Sequence, residues 1–299
     1  MKIKFIILLI ASVFVFVSCE KDIDVELETP EDKIVFEGAI ETGEYPYVII
    51  TKNQAYFATV DTNTLMDMMV TDAIVTVSDG SITDTLKLRP YFYTIPPYRY
   101  VGSKIKGEEG KTYKMKAIVN GETYEAETTI PAIVPIDSIK FKYNTPEDTF
   151  GVLWAYWQDP PGLGNFYRIF TRTLGKDSVF VHRRFSLLED QIIDNQPIEF
   201  AIVRGKDPAV PEEEYEDLEP PYWSFVPGET VYVKLASMDA VSFEFWKLIE
   251  QQNASNGNPF AAPTTLKTNI SNNALGIWAG YAVDIDTVHI TPDIILPAE

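Results

Sequence analysis

The chain is poor in the residue types that build catalytic and metal sites. It has one cysteine, Cys19, and two histidines, His182 and His289, among 299 residues. A single cysteine excludes an intramolecular disulfide and a thiolate metal centre, so the fold has to depend on its hydrophobic core. No G-x-S-x-G, HExxH or phosphate-loop motif occurs either. We therefore expect a protein that is not an enzyme and that has no metal or cofactor.

Positive charge is also scarce. The sequence has 25 lysines and arginines against 44 aspartates and glutamates, which gives a formal net charge of −19. Because such a chain repels phosphates and anionic headgroups, we expect no nucleic-acid partner and no body lying flat on a membrane. The balance favours a soluble body held away from a membrane, or a partner with basic patches.

Long apolar runs are missing except at the N-terminus. Lys2 and Lys4 precede an apolar stretch at residues 5–17, and Ser18 and Cys19 follow it. This order of charge, apolar core and small residue is typical of a secretory signal. The stretch has about 13 residues, whereas a spanning helix needs about 20. An uncleaved transmembrane anchor is the alternative.

The end of this stretch resembles the lipobox of bacterial lipoproteins. Ser18 stands before Cys19 as that motif requires, although Phe16 occupies a position where leucine is usual. The resemblance implies that residues 1–18 are a signal peptide and that Cys19 is acylated, which anchors a protein to a membrane. Residues 19–32 then form an acidic tether. Its first charged residues resemble the surface-export signal of Bacteroidota lipoproteins, and a plain solvated tether is the alternative.

Beyond the tether the pattern is that of a mainly β protein. Short β-branched and aromatic runs recur about every ten residues, with turn signals between them. Residues 78–80 and 120–121 are the clearest hairpin turns. We predict two immunoglobulin- or fibronectin-III-like β-sandwich domains, at residues 33–133 and 134–299.

One segment has helical rather than strand periodicity. Asp239 is a good N-cap, and Val241, Phe245 and Ile249 fall on one helical face. We predict an amphipathic helix at about residues 240–252 that packs on the second sandwich.

Two stretches rich in aromatic residues are candidates for an interaction surface. One lies at residues 91–100, and the other ends the acidic stretch that begins at residue 212. Aromatic side chains in loops stack on sugars or anchor protein interfaces. The alternatives are a strand that buries its own aromatic rings and a solvated acidic loop. The candidate residues are Tyr91, Tyr93, Tyr98, Tyr100, Tyr215, Tyr222 and Trp223.

The most distinctive stretch is a turn between two predicted strands. Its prolines restrict the backbone at one end, its glycines permit positive φ at the other, and its asparagine is expected to cap it. A structural role is therefore predicted. The residues are Pro160, Pro161, Gly162, Gly164 and Asn165.

This turn, with its flanking residues 158–168, resembles a signature of the DUF4249 type of Bacteroidota outer-membrane lipoprotein. The resemblance implies a lipoprotein that is often encoded beside a TonB-dependent transporter, and it implies no catalytic residues. Further matching pieces follow in order at residues 35–38, 70–73, 75–80, 110–113, 258–260 and 273–276.

The sequence thus favours a non-catalytic lipoprotein, lipid-anchored in the outer membrane and facing the cell surface. We expect an accessory or ligand-capture subunit of an outer-membrane β-barrel complex, most simply a TonB-dependent transporter, whose basic loops meet the acidic body. A free-standing glycan- or protein-binding module, or an adhesin, is the alternative. The two hypotheses differ in whether a barrel co-purifies with the chain.

Overall fold

A computed structural model describes residues 33–53, 66–92, 97–145, 147–255 and 266–291. Within them the chain is mainly β and has a helix on one face, so the predicted fold class, a β-sandwich type with a helix, is confirmed. The predicted signal peptide, the tether and Cys19 lie outside the described residues. No described helix is long and apolar enough to cross a membrane.

The described part of the chain contains fifteen β-strands. They are β1 (Ile34–Glu41), β2 (Tyr47–Lys52), β3 (Ile74–Ser78), β4 (Thr83–Thr85), β5 (Lys87–Pro90), β6 (Tyr98–Val101), β7 (Thr112–Val119), β8 (Glu122–Thr129), β9 (Ser138–Tyr143), β10 (Gly151–Gln158), β11 (Phe166–Thr173), β12 (Leu187–Glu189), β13 (Pro197–Ile202), β14 (Thr230–Met238) and β15 (Leu275–His289). Helix α1 spans Ala240–Ser255, and a short 3-10 helix spans Glu212–Tyr215.

The strands form three sheets that enclose two cores. The largest sheet has eight strands in the order β12-β11-β14-β15-β1-β2-β6-β5, and the others are β4-β3-β7-β8 and β13-β10-β9. The four-stranded sheet packs on the part of the large sheet around β1, over a core that includes Phe36 and Trp278. The three-stranded sheet packs around β11 and β14, over a core that includes Trp157 and Tyr167.

Strand β15 joins the two sandwiches. Its residues 275–281 pair in parallel with β1, and its residues 282–289 pair antiparallel with β14. The N-terminal sandwich is therefore completed by a strand from the other end of the chain, and the described residues belong to one compact unit. The predicted boundary between residues 133 and 134 does not separate two self-contained domains. Turn signals are local, whereas a parallel pairing between distant strands leaves no local signal.

Local sequence does explain the hairpins. The strands β7 and β8 alternate buried and exposed residues along their length. Between them, Asn120 and Gly121 have φ of 51° and 86°, as a two-residue type I′ turn requires. The strong sequence signal at residues 120–121 thus corresponds to a real turn.

Helix α1 begins at the predicted cap and ends a little later than predicted. A carboxylate oxygen of Asp239 accepts the N–H of Ser242 at 2.7 Å. Phe243 and Phe245 are buried against the large sheet. Val241, which was expected on the buried face, is instead 45% exposed. The buried face of the helix therefore includes Phe243 and Phe245 but not Val241.

Candidate ligand-binding groove

The eight-stranded sheet has an outer face that points away from both cores. On β1, Phe36 and Ile40 face the first core, whereas Glu37, Ala39 and Glu41 face the other way. Helix α1 packs on part of this outer face. Beside the helix the face stays open and forms the floor of a groove.

The groove has a volume of about 530 Å³, which lies within the range of about 300–1,000 Å³ that is typical of ligand sites. Outward-facing residues from six consecutive strands, β11 to β6 in sheet order, line its floor, and α1 and four loops supply its walls. The charged and aromatic residues of the floor include Glu37, Tyr47, Arg99, Arg168, Lys234 and Tyr281.

Arginine side chains lie against aromatic rings in this groove. The guanidinium carbon of Arg99 is 3.6 Å from the ring centre of Tyr91 and 5.0 Å from that of Tyr47. That of Arg168 is 4.5 Å from the ring of Trp246. A cation–π contact fixes the guanidinium plane without using its N–H donors. The rings thus orient cations whose edges remain available to a ligand.

Arg168 is the most deeply buried of these cations, at 3% exposed. Its Nε donates to the hydroxyl of Ser186 at 3.3 Å, and its Nη2 lies 2.8 Å from His182 Nε2. A carboxylate oxygen of Glu250 is 3.9 Å away, which is too long for a hydrogen bond. Burial lowers the pKa of Arg168, but a guanidinium stays charged in proteins. The groove therefore holds a permanent positive charge whose ion pair with the described Glu250 is long.

Glu37 supplies a carboxylate on the same floor. Its side chain opens into the groove, and no described residue forms a hydrogen bond or an ion pair with it. The protein that surrounds the groove raises the pKa of Glu37 by desolvation, and the positive charge of Arg168 offsets part of that effect. By contrast, Glu41 on the same strand lies 3.0 Å from the ammonium of Lys234. Glu37 is thus ready to accept hydrogen bonds from outside the protein.

His182 is a neutral member of the groove wall. Desolvation, and then the nearby charge of Arg168, lower the pKa of His182 to about 4. The ring is therefore uncharged at neutral pH and does not compete with Arg168 for anionic or polar groups. No local signal in the sequence pairs these two residues, because a loop brings His182 back onto β11.

Two tyrosines add hydrogen-bond donors to the floor. Burial is the largest cause that raises the pKa of Tyr47 and of Tyr281, so both phenols stay protonated. The hydroxyl of Tyr281 accepts the indole N–H of Trp246 at 2.7 Å, which ties the helix to the sheet. Among the described residues no acceptor takes the hydroxyl proton of Tyr281, so that proton is available to a ligand.

The first aromatic stretch is divided between groove and core. Tyr91 lines the groove, and Tyr98 is half-buried on β6. Tyr100 is 3% exposed, and its hydroxyl bonds two backbone groups at 2.9 and 3.0 Å. The prediction that Tyr100 belongs to an interaction surface is wrong, because alternation along the strand turns it into the first core. Tyr93 lies outside the described residues.

The second aromatic stretch is largely packed on itself. Tyr215 is 9% exposed, and its hydroxyl accepts the N–H of Asp207 at 2.7 Å, so its place on an interaction surface was predicted wrongly. Tyr222 lies edge-on to Tyr215, and the ammonium of Lys206, another groove residue, is 4.8 Å from its ring centre. Trp223 is half-buried. Tyr215 and Tyr222 therefore contact the groove lining through Lys206, whereas the ring of Trp223 packs on that of Phe150.

The distinctive turn joins β10 to β11. Gly162 and Gly164 have φ of 106° and 112°, a region that only glycine enters easily. The side-chain amide of Asn165 donates to the carbonyls of Pro160 and Gly162 at 3.2 and 2.9 Å. Pro161 is exposed within the same turn. The geometry is that of a structural turn closed by its own asparagine.

Three carboxylates anchor this turn to the loop that follows β12. Oxygens of Asp159, Asp190 and Asp194 lie within 4.8 Å of one another. Asp194 accepts the N–H of Gly162 at 2.7 Å, and Asp190 accepts that of Gly164 at 3.0 Å. Because their oxygens are used by backbone N–H groups, these aspartates lock two loops together.

The sequence did contain a signal for the groove. Glu37, Arg168 and Lys234 are charged residues inside strands that are otherwise largely apolar or aromatic. Such a charge marks a strand whose second face is polar. The signal identifies the outward face of each strand, but not which strands lie side by side.

Comparison with known proteins assigns the chain to a family. The family model described as "Domain of unknown function (DUF4249)" matches residues 20–286. A search of curated proteins finds none that matches. Since the match covers most of the chain, this protein belongs to the DUF4249 family.

Proposed function

We propose that the protein is a non-catalytic ligand-capture lipoprotein of the outer membrane, anchored at the cell surface by acylated Cys19, and that the groove is its ligand site. The observation that carries the proposal is the groove floor, where the charged groups of Glu37 and Arg168 face an open volume of about 530 Å³. Glu37 has no described hydrogen-bond partner within the fold, and a few polar groups that converge on an open volume are typical of binding sites.

The composition of the groove supports binding rather than catalysis. No serine, threonine or cysteine is among the described residues that line it, so it lacks the hydroxyl and thiol groups most often used as nucleophiles. Glycosidases need a pair of carboxyl groups that act on one bond, one as acid or base and the other as base or nucleophile. Glu41, the groove carboxylate on the same strand as Glu37, is instead held by the ammonium of Lys234 at 3.0 Å.

The partner we propose is an outer-membrane β-barrel, most simply a TonB-dependent transporter that receives the captured ligand. The net charge of −19 suits a partner with basic loops. Two exposed apolar side chains, Leu163 at 68% and Ile192 at 94%, also support a protein contact. They lie on the two loops that Asp190 and Asp194 lock together, so a partner would meet them without an ordering cost.

The test is affinity purification of the tagged, full-length lipoprotein from native outer membranes in mild detergent. We expect a stoichiometric β-barrel protein with the wild type, and much less of it with Ile192→Asp. The control is Leu174→Asp, because Leu174 is 61% exposed on a different loop. Recovery of the lipoprotein alone would contradict a stable barrel complex.

The second candidate function is a free-standing glycan- or protein-binding module. The same groove favours it, because a complete site on one chain does not need a partner to bind ligand. A barrel-free lipoprotein that still binds ligand through the groove would identify this function.

A further inference from the structure

We infer that the groove binds an uncharged carbohydrate, with pyranose rings lying on its aromatic side chains and their hydroxyls bonded to Glu37 and to the groove arginines. The inference rests on the proposed ligand-capture function, because it names the ligand class for that same site.

The aromatic lining matches one side of a pyranose. Such a ring has a flat face of C–H groups, and aromatic rings pack favourably on flat apolar faces of this kind. The groove offers the rings of Tyr47 and Tyr91 beside the sheet and of Trp246 from the helix, whereas Tyr281 is 8% exposed and contributes mainly its hydroxyl. Tyr45 adds a ring at the rim and is 40% exposed. The rings come from separate elements, so the site suits more than one sugar unit.

The polar lining matches the hydroxyl rim of a sugar. Each sugar hydroxyl is both a donor and an acceptor, and it needs a partner of each kind. Glu37 is an acceptor without a described partner, whereas Arg99 and Arg168 hold N–H donors in fixed planes. The described Glu37 carboxylate and Arg168 guanidinium form no ion pair with each other. Neighbouring hydroxyls can therefore bridge an acceptor and a donor that remain apart.

The balance of charge in the groove favours an uncharged ligand. Four cationic residues, Arg99, Arg168, Lys206 and Lys234, line it together with the carboxylates of residues 37, 41 and 44. A polyanion would meet three like charges and a polycation four, each at a cost in free energy. The whole chain has a formal net charge of −19, whereas positive and negative charges in the groove are nearly equal in number. The groove therefore differs from the rest of the protein in its charge.

The topology disfavours an extended peptide as the ligand. Peptides commonly bind such folds by adding a strand to an open sheet edge. The six strands beneath the groove lie inside the eight-stranded sheet, between β12 and β5, so each is already paired on both sides. Their backbone groups are used, and only side chains are offered to a ligand.

The experiment uses the full-length lipoprotein in a detergent that carries no sugar. It is applied to immobilised neutral oligosaccharides built from glucose, mannose, galactose or xylose, to sulfated and uronic-acid oligosaccharides, and to a pool of peptides. Soluble forms of any ligand that binds are then titrated by calorimetry. We expect binding to a neutral oligosaccharide.

Two groove variants each have a matched control. Glu37→Gln removes a charged acceptor and should weaken binding about tenfold or more, whereas Glu125→Gln, an exposed glutamate on β8, should have no effect. Tyr45→Ala should weaken binding about threefold to tenfold. Its control is Tyr156→Ala, since a lysine ammonium lies 5.0 Å from the ring of Tyr45 and 4.9 Å from that of Tyr156.

The outcomes separate this inference from the proposed function. Binding only to anionic oligosaccharides or to peptides, or neutral binding that Glu37→Gln leaves unchanged in a folded protein, overturns the carbohydrate inference. If a β-barrel still co-purifies in that case, the capture function stands with another ligand class. If no ligand binds and no barrel co-purifies, both proposals are wrong.

Discussion

Two sets of carboxylates in this protein have opposite surroundings. Asp159, Asp190 and Asp194 lie within 4.8 Å of one another, and each accepts a hydrogen bond from a described donor. Glu37 opens into the groove and has no described hydrogen-bond partner. Like charges cluster stably when hydrogen bonds favour their charged forms. Hydrogen bonds within the fold thus account for the three aspartates. No described contact accounts for Glu37 in the same way, which is the behaviour expected of a residue that binds a ligand.

Two buried arginines show the same difference. Arg204 is 8% exposed, and its Nε donates to a carboxylate oxygen of Asp177 at 2.9 Å. Arg168 is 3% exposed, yet the Glu250 carboxylate is 3.9 Å away. One guanidinium is therefore matched within the protein, and the other faces the groove with donors to spare.

The largest expected effect separates these two arginines. Arg204→Met leaves the fully buried side chain of Asp177 without its cation. Removal of one partner from a buried pair costs about 3–5 kcal/mol of unfolding free energy. Arg168→Met should cost clearly less, because its ion pair with Glu250 is 3.9 Å long and the Glu250 carboxylate keeps the N–H of Phe185 as a donor. Urea unfolding of both variants measures the difference, and equal losses would contradict the comparison between the arginines.

A second effect tests the aspartate cluster. Asp159 is 0% exposed and accepts the hydroxyl of Tyr167 at 2.5 Å and the N–H of Asn195 at 3.0 Å. Asp159→Ala should therefore lower the free energy of unfolding by about 3 kcal/mol, because two buried or half-buried donors lose a charged acceptor.

The control for this variant lies in the same cluster. Asp194 is exposed and accepts one backbone N–H, so Asp194→Ala should cost about 1 kcal/mol. If addition of calcium raised the unfolding temperature of the wild type, and Asp159→Ala abolished that rise, the cluster would be a cation site and not only a lock between loops.

The local parts of this structure could be predicted from the sequence, and the groove could not. The hairpin at residues 120–121 and the cap at Asp239 depend on neighbouring residues, and both are present. The groove depends on the order of strands in one sheet, which the parallel pairing of β1 with β15 sets. That pairing brings Glu37 near Arg168 although they are far apart in the chain. The direction of each side chain also determines which tyrosines reach the groove, because Tyr100 points from β6 into the first core.

The smallest expected effect concerns Glu37 itself. Desolvation raises the pKa of Glu37 above its ordinary value of 4.5 in the folded protein. Protonated Glu37 thus favours the folded state, and this contribution is complete below pH 4.5 and lost as the pH rises through the raised pKa. Glu37→Gln has no ionised form, so we expect it to be more stable than the wild type at neutral pH, by less than about 1 kcal/mol because the side chain is open to water.

Chemical denaturation at neutral pH and at pH 4 measures that difference, which should shrink on acidification. A Glu37→Gln variant that is less stable than the wild type at neutral pH would mean that the carboxylate has a structural partner. A variant that is equally or more stable, yet binds ligand more weakly, would separate stability from binding at one residue. The fold would then tolerate Glu37 while the ligand requires it, which is the opposite of the behaviour expected for Asp159.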